Sequence, residues 1–169
     1  HYFYRSQLYT NDSDEDERFI LFSKAVIETI QKLVWQPDVI HCNDWQTGLI
    51  PLYLKDNYSW DELFKNTATL FTLHNIGYQG KFSIDALYKG EINPDHYYDF
   101  GRVEHAGDVN FLKAAISFAD IINTVSETYS KEILTEEFGA GLHYILQYRS
   151  KDLYGVLNGV DYNEWSPEK

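Results

Sequence analysis

The chain has 169 residues, 44% hydrophobic and 24% charged, with 4 prolines and 10 glycines, a composition that excludes a disordered or fibrous segment and predicts one domain able to bury a core. Acids outnumber bases 26 to 14, and the net charge of −12 argues against nucleic-acid or anionic-membrane partners, which need a basic footprint. Short apolar runs predict neither a membrane span nor a signal peptide, and the single Cys42 excludes an internal disulfide framework, so a reducing, cytoplasmic location is expected.

The chain opens at His1 inside an aromatic stretch, His1-Tyr2-Phe3-Tyr4-Arg5, which reads as a piece of something longer. Aromatic residues make up 17% of it, and such rings fill cores or cover sugar faces equally well. Residues 12 to 17 hold five acids around Ser13. Apolar positions Phe19, Phe22, Val26, Ile30 and Leu33 follow at helical spacing. Ser13 with Asp16 resembles a capping box, which makes the acidic run a solvated helix start. Trp35-Gln36-Pro37 ends this helix.

Asp38 to Cys42 reads as a short buried strand, followed by polar residues and a helix from about Thr47 to Leu54. Thr69 to Leu73 is a second strand, running into His74-Asn75 and a turn with Gly77 and Gly80. A helix through Phe111, Leu112, Ala115, Ile116 and Ala119 leads to a strand over Ile121 to Val125, and Ser126 caps a helix through Ile133. Lys113, on the apolar face of its helix, is expected to snorkel to water. A helix near Leu142 to Arg149 and a strand over Leu153 to Leu157, closed by Asn158-Gly159, complete the pattern. Strands alternating with helices predict a doubly wound, mainly parallel, Rossmann-like α/β sheet covered on both faces.

In such sheets ligands bind beyond the carboxyl ends of the strands. Here those ends read His41/Asn43/Asp44, His74/Asn75, Ser126/Glu127 and Asn158/Gly159/Asp161. These side chains donate and accept at fixed angles, as sugar hydroxyls require, and none forms a phosphate cradle. Each has a plain alternative: Asp44 and Ser126 as helix caps, His41 and His74 as hydrogen-bonded core histidines, Asn158-Gly159 as a turn. Their coincidence on one edge points to a carbohydrate. Gly139-Ala140-Gly141 follows a helix, not a strand, so it is no dinucleotide fingerprint. HExxH and paired cysteines are both missing, so neither a metal site nor another cofactor is expected.

Five strings in order resemble glycogen and starch synthases: His41-Cys42-Asn43-Asp44-Trp45-Gln46-Thr47-Gly48-Leu49, Thr72 to Gly80, Asn110-Phe111-Leu112-Lys113-Ala114, Val125 to Tyr129, and Gly155 to Asp161 continuing through Trp165-Ser166-Pro167. The resemblance spans nearly the whole chain. It implies that residues 1–169 are the later part of the N-terminal Rossmann-like domain of a two-domain GT-B enzyme. Such an enzyme is a retaining glucosyltransferase that passes glucose from ADP-glucose to an α-1,4-glucan, in the cytoplasm or in a plant plastid. By likeness, His74 lies against the transferred glucose and Asp44 orients its hydroxyls or the acceptor. His41, Asn75 and Asn158 line the substrate, and Tyr2, Phe3, Arg5 and Tyr9 match an acceptor-side segment.

The family's Lys-x-Gly-Gly loop and its C-terminal half, which meet the nucleotide phosphates, are absent from these residues. The chain alone is therefore expected to be inactive, because nothing in it neutralises the departing diphosphate. The alternatives are a non-catalytic glucan-binding module of the same fold and a related transferase with another donor or acceptor. The family topology also puts the strand at Val39 to Cys42 on an edge. That edge is expected to drive self-association or to be covered by Tyr2 to Tyr9.

Overall fold

The computed structural model describes residues 3–5, 12–99 and 101–166; Tyr2 and Tyr9 fall outside them. The first helix, α1 (Glu15–Lys32), buries Phe19, Ile20, Ile27 and Ile30, a stripe turned slightly from the predicted one, since Phe22 and Leu33 are exposed. Its start corrects two expectations. Asp14 is the N-cap, and neither it nor Ser13 makes a side-chain cap bond. The acids are also not simply solvated, because Glu15 and Asp16 are buried. Arg5 reaches Asp12, Asp14 and Glu15 at 2.7–3.1 Å, and Lys89 reaches Asp16 and Glu17 at 3.0 Å. A helix start attracts acids through its dipole, and acids buried there need cations as neighbours.

Four parallel strands form the main sheet in the order β1 (Val39–Asn43), β2 (Ala68–Leu73), β6 (Ile121–Thr124) and β7 (Leu153–Gly155). Strand β7 ends two residues earlier than predicted, leaving Val156 and Leu157 exposed. Helix α2 (Leu49–Lys55) follows β1, and α5 (Phe111–Phe118) precedes β6. Seven of the eight α5 residues are buried, as expected of a largely apolar helix packed against α2, the turn over residues 45–47 and the helix over residues 143–148. Ser126 caps α6 (Glu127–Glu132) by accepting from Tyr129 N, as predicted, and α7 (His143–Tyr148) packs on α5.

Between β2 and α5 the chain builds a unit that sequence pattern did not reveal. It comprises β3 (Lys81–Phe82), α3 (Asp85–Lys89), α4 (Asp95–Tyr98), β4 (Glu104–His105) and β5 (Asp108–Asn110), with the three strands antiparallel in the order β3-β5-β4. Lys113 is drawn into this unit instead of reaching water. It is 4% exposed, its Nζ donates to the Glu104 carbonyl at 2.6 Å, and it lies 4.9 Å from the Tyr144 ring centroid.

The sheet is wound in one direction, each new strand being added on the same side of the last. Right-handed crossovers then put the connecting helices on one face. Ile40, Cys42, Phe71, Leu73 and Ile122 are accordingly buried, whereas Val39, His41 and Asn43 on the opposite face of β1 are exposed. The expected mainly parallel α/β sheet flanked by helices is thus present; among the described strands the winding does not reverse, so the helices these residues supply lie on one face. Among the described residues β1 pairs only with β2, so it is an edge strand, as expected. Phe3 packs 6.4 Å from Phe22 and Arg5 lies on the acids of α1, so the described part of the aromatic segment sits against α1.

Candidate functional site

Asp44 follows β1 directly, with φ 57° and ψ −179°. This is the margin of a region that only glycine enters freely, and holding another residue there costs on the order of 1–3 kcal/mol. Asp44 N donates to the Thr72 carbonyl of β2 at 3.0 Å, and the Asp44 carbonyl accepts from Thr47 N at 3.2 Å. The carboxylate makes no cap bond to the short turn over Trp45–Thr47. It crosses instead to the end of β2, where Oδ1 accepts from His74 N at 2.9 Å and Oδ2 meets His74 Nδ1 at 3.0 Å.

This bidentate contact sets the histidine. With Nδ1–H donated to the carboxylate, the neutral ring presents the lone pair of Nε2, the same division of labour that an orienting acid imposes wherever histidine acts on a ligand. Among the described residues no hydrogen bond reaches Nε2. The two side chains are 44% and 33% exposed, so the pair opens to solvent at the carboxyl edge.

The loop that carries His74 is held from three sides. Asn75 Oδ1 accepts from Gly77 N at 2.9 Å, Tyr129 of α6 accepts from Ile76 N at 3.0 Å, and buried Gln79 donates to the Ile76 and Ala140 carbonyls. Asn110, itself fully buried, donates to Gln79 Oε1 and caps α5 by accepting from Lys113 N. The Gln79 and Gly80 carbonyls accept from Leu112 N and Phe111 N, so the first amides of α5 are occupied by the loop. At Gly80, φ is 59° and a Cβ would sit 2.3 Å from the Trp45 ring, so only glycine fits this close approach.

Asp44, His74 and Asn75 come together at the carboxyl edge. His41 lies lower, on the open face of the sheet, where Nε2 is 2.7 Å from Thr72 Oγ1. Thr72 donates onward to Asn123 at 2.6 Å, so His41 Nε2 is the donor in a relay across three strands. Asn158 is exposed beyond β7, and no described hydrogen bond ties it to the pair. Phe3 and Arg5 lie on α1, with the Arg5 guanidinium engaged by three carboxylates. Among the described residues no group of three acidic, histidine or cysteine side chains is placed to hold a metal. Burial pushes the Cys42 thiol up to about 12, which keeps it protonated and unreactive.

Sequence reasoning missed Thr47, Thr72, Gln79 and Tyr129. Thr47, three residues after Asp44, was legible as a local hydrogen-bonding partner; Tyr129 and Ile76 are 53 residues apart and left no local signal.

Residues 1–148 match the family model of the starch synthase catalytic domain. The chain is 47% identical over 167 residues to the glycogen synthase of Desulforudis audaxviator, covering 99% of this chain and 33% of that protein. It is 48% identical over 168 residues to the glycogen synthase of Thermosipho africanus and 47% identical over 167 residues to that of Thermotoga maritima, again with 99% of this chain and 34% of each protein covered. Among solved structures, the catalytic domain of starch synthase IV from Arabidopsis thaliana bound to ADP and acarbose matches with a TM-score of 0.88 and 36% identity, covering 99% of this chain and 34% of that one. The chain thus spans about a third of the length of the relatives it matches. No helix among the described residues is long and apolar enough to cross a membrane.

Proposed function

The chain belongs to the starch synthase catalytic-domain family, and from that premise we propose that it supplies one wall of a site that transfers glucose from ADP-glucose to the end of an α-1,4-glucan, in glycogen or starch synthesis. The observation that carries this reading is the Asp44–His74 pair: a carboxylate held in a strained conformation fixes a partly exposed imidazole whose Nε2 takes no hydrogen bond among the described residues. A group so fixed accepts a hydrogen bond from a sugar hydroxyl without reorganising as charge develops on the reacting ring. His74 contacts the transferred glucose and Asp44 orients it. Asn75 offers its amide N–H groups, since its oxygen is used in the turn, and His41 and Asn158 line the outer reaches of the substrate. The donor's diphosphate needs cations that these residues do not provide, and they come from elsewhere in the complete site. The free edge of β1 favours self-association of the isolated chain, which sedimentation at micromolar concentration reads directly.

The test places residues 1–169 in the glycogen synthase of Thermotoga maritima in place of the matching segment. The chimaera elongates glycogen from ADP-glucose, and His74→Ala lowers kcat far more than it raises the KM for glucan. A folded His74→Ala chimaera elongating glycogen at the parental rate overturns the reading. The isolated chain transfers no glucose; binding of maltoheptaose by it with no loss on His74→Ala favours the glucan-binding module instead.

A further inference from the structure

The turn after β1 lacks the cap that its sequence offers. Asp44 stands where a carboxylate ordinarily accepts from the first amides of a helical turn, yet its carboxylate is spent on His74. Thr47 ties down the backbone on the other side of Asp44, at the end of β1. Its hydroxyl accepts from Asn43 N at 2.7 Å and donates to the Asn43 carbonyl at 2.8 Å, with the Asp44 carbonyl 3.2 Å away. Asp44 N is tied to Thr72 of β2, and Thr47 N to the Asp44 carbonyl, so the peptide planes on both sides of Asp44 are held. Those two planes define φ and ψ at Asp44.

The neighbours of Thr47 cannot shift to release it. Trp45 is buried, with ring centroids 4.7 Å from Phe19 and 5.7 Å from Phe82. Gly48 lies so close to α5 that a Cβ would meet the Phe111 carbonyl oxygen at 2.3 Å. A strained conformation persists only where its surroundings over-determine it, and here the adaptable element among rigid ones is a single hydroxyl.

We propose that Thr47 is a positioning residue: its hydroxyl clamps the Asn43 and Asp44 backbone so that the Asp44 carboxylate is held where it fixes His74. The catalytic consequence rests on the reading of Asp44 and His74 given above; the clamp itself does not. Thr47→Val keeps the shape and deletes the hydroxyl, while Thr47→Ser keeps the hydroxyl.

In the 169-residue chain, amide exchange and ¹⁵N spectra of the His74 ring read the clamp without any chemistry. Thr47→Val lowers protection of the His74 amide at least tenfold relative to the amides of β2, and the ring loses its preference for the Nδ1–H tautomer. Thr47→Ser retains both. Thr47→Ala serves the same comparison where the valine variant does not fold. Parental His74 protection and tautomer in the variant lacking the hydroxyl overturn the proposal, even if His74→Ala abolishes transfer in the chimaera. In that chimaera Thr47→Val lowers kcat with little change in KM, and Thr47→Ser restores it. If instead the clamp is seen by exchange while His74→Ala transfers glucose normally, the clamp stands and the reading of the pair as the reacting-sugar site fails.

Discussion

The two ends of the same parallel sheet are built on opposite terms. At the amino end, Asp120 before β6 accepts from Thr69 N, Thr69 Oγ1 and Lys55 Nζ at 2.6–2.8 Å. Arg149, after α7, donates to the carbonyl of Ile116 in the last turn of α5, to that of Ala119 just beyond it, and to Asp152. These groups answer unpaired amides and carbonyls of β2 and of the end of α5, so their hydrogen-bonding capacity is spent within the fold, although Lys55 and Asp120 are themselves 43% and 36% exposed. At the carboxyl end, Asp44 is strained, and among the described residues no hydrogen bond reaches His74 Nε2. On the function proposed above, one end is arranged for stability and the other for a ligand. Strain and unused hydrogen-bonding capacity collect where something else is meant to bind.

The largest effect that would sharpen this contrast is His74→Ala in the chimaera: a fall in kcat of about 10²-fold or more, the scale on which single stabilising contacts at a reacting centre act. Stability, measured by urea denaturation of the same protein, should change by less than about 0.5 kcal/mol, as at an exposed position. Arg149→Ala should show the reverse. Removing a guanidinium that is 13% exposed leaves α5's terminal carbonyls unsatisfied and costs about 1–3 kcal/mol, while kcat of the folded chimaera stays near parental.

A smaller effect probes the strain. Asp44→Gly should be more stable than Asp44→Ala by about 1–2 kcal/mol, since both lose the carboxylate and only glycine occupies that conformation at ease. Equal stabilities would mean that Asp44 is not held where its backbone angles place it.

The parts legible in sequence were those with short-range causes. Alternation of apolar strands and helices revealed the parallel sheet, and Ser126, Asp44 and His74 could be placed at strand ends because those ends follow from where the apolar runs stop. What was hidden depends on partners far away. The β3-β5-β4 unit consists of strands two and three residues long, too short for a period to appear, and Lys113 is buried between that unit and Tyr144 of α7. The acids of α1 read as a solvated run because the cation that buries Asp16, Lys89, lies 73 residues away. The open face followed from strand order, which no local pattern encodes. At the site, chemistry-bearing residues were visible as types, but the strain at Asp44 and the bonds of Thr47 to the backbone beside it depend on backbone angles that sequence does not display.

The smallest predicted effect is the pH dependence of the amino end. Burial by itself would raise the Asp120 carboxyl, but the bonds from Lys55 and Thr69 outweigh it and hold it below its usual value. A depressed carboxyl adds stability that is fully present above its unfolded pKa of about 3.9 and is lost as pH falls through the lower folded value. The parent chain should therefore weaken progressively on acidification below about pH 4, and Asp120→Asn should flatten that part of the curve.

The central claim is that the carboxyl edge carries function and the amino edge carries stability, and one paired measurement tests it most directly. His74→Ala and Arg149→Ala are made in the same chimaera, and glucose transfer from ADP-glucose and urea stability are measured for both. The account predicts lost turnover with parental stability for the first and lost stability with parental turnover for the second. A His74→Ala protein that loses stability as much as Arg149→Ala while its folded fraction still elongates glycogen at the parental rate would contradict it.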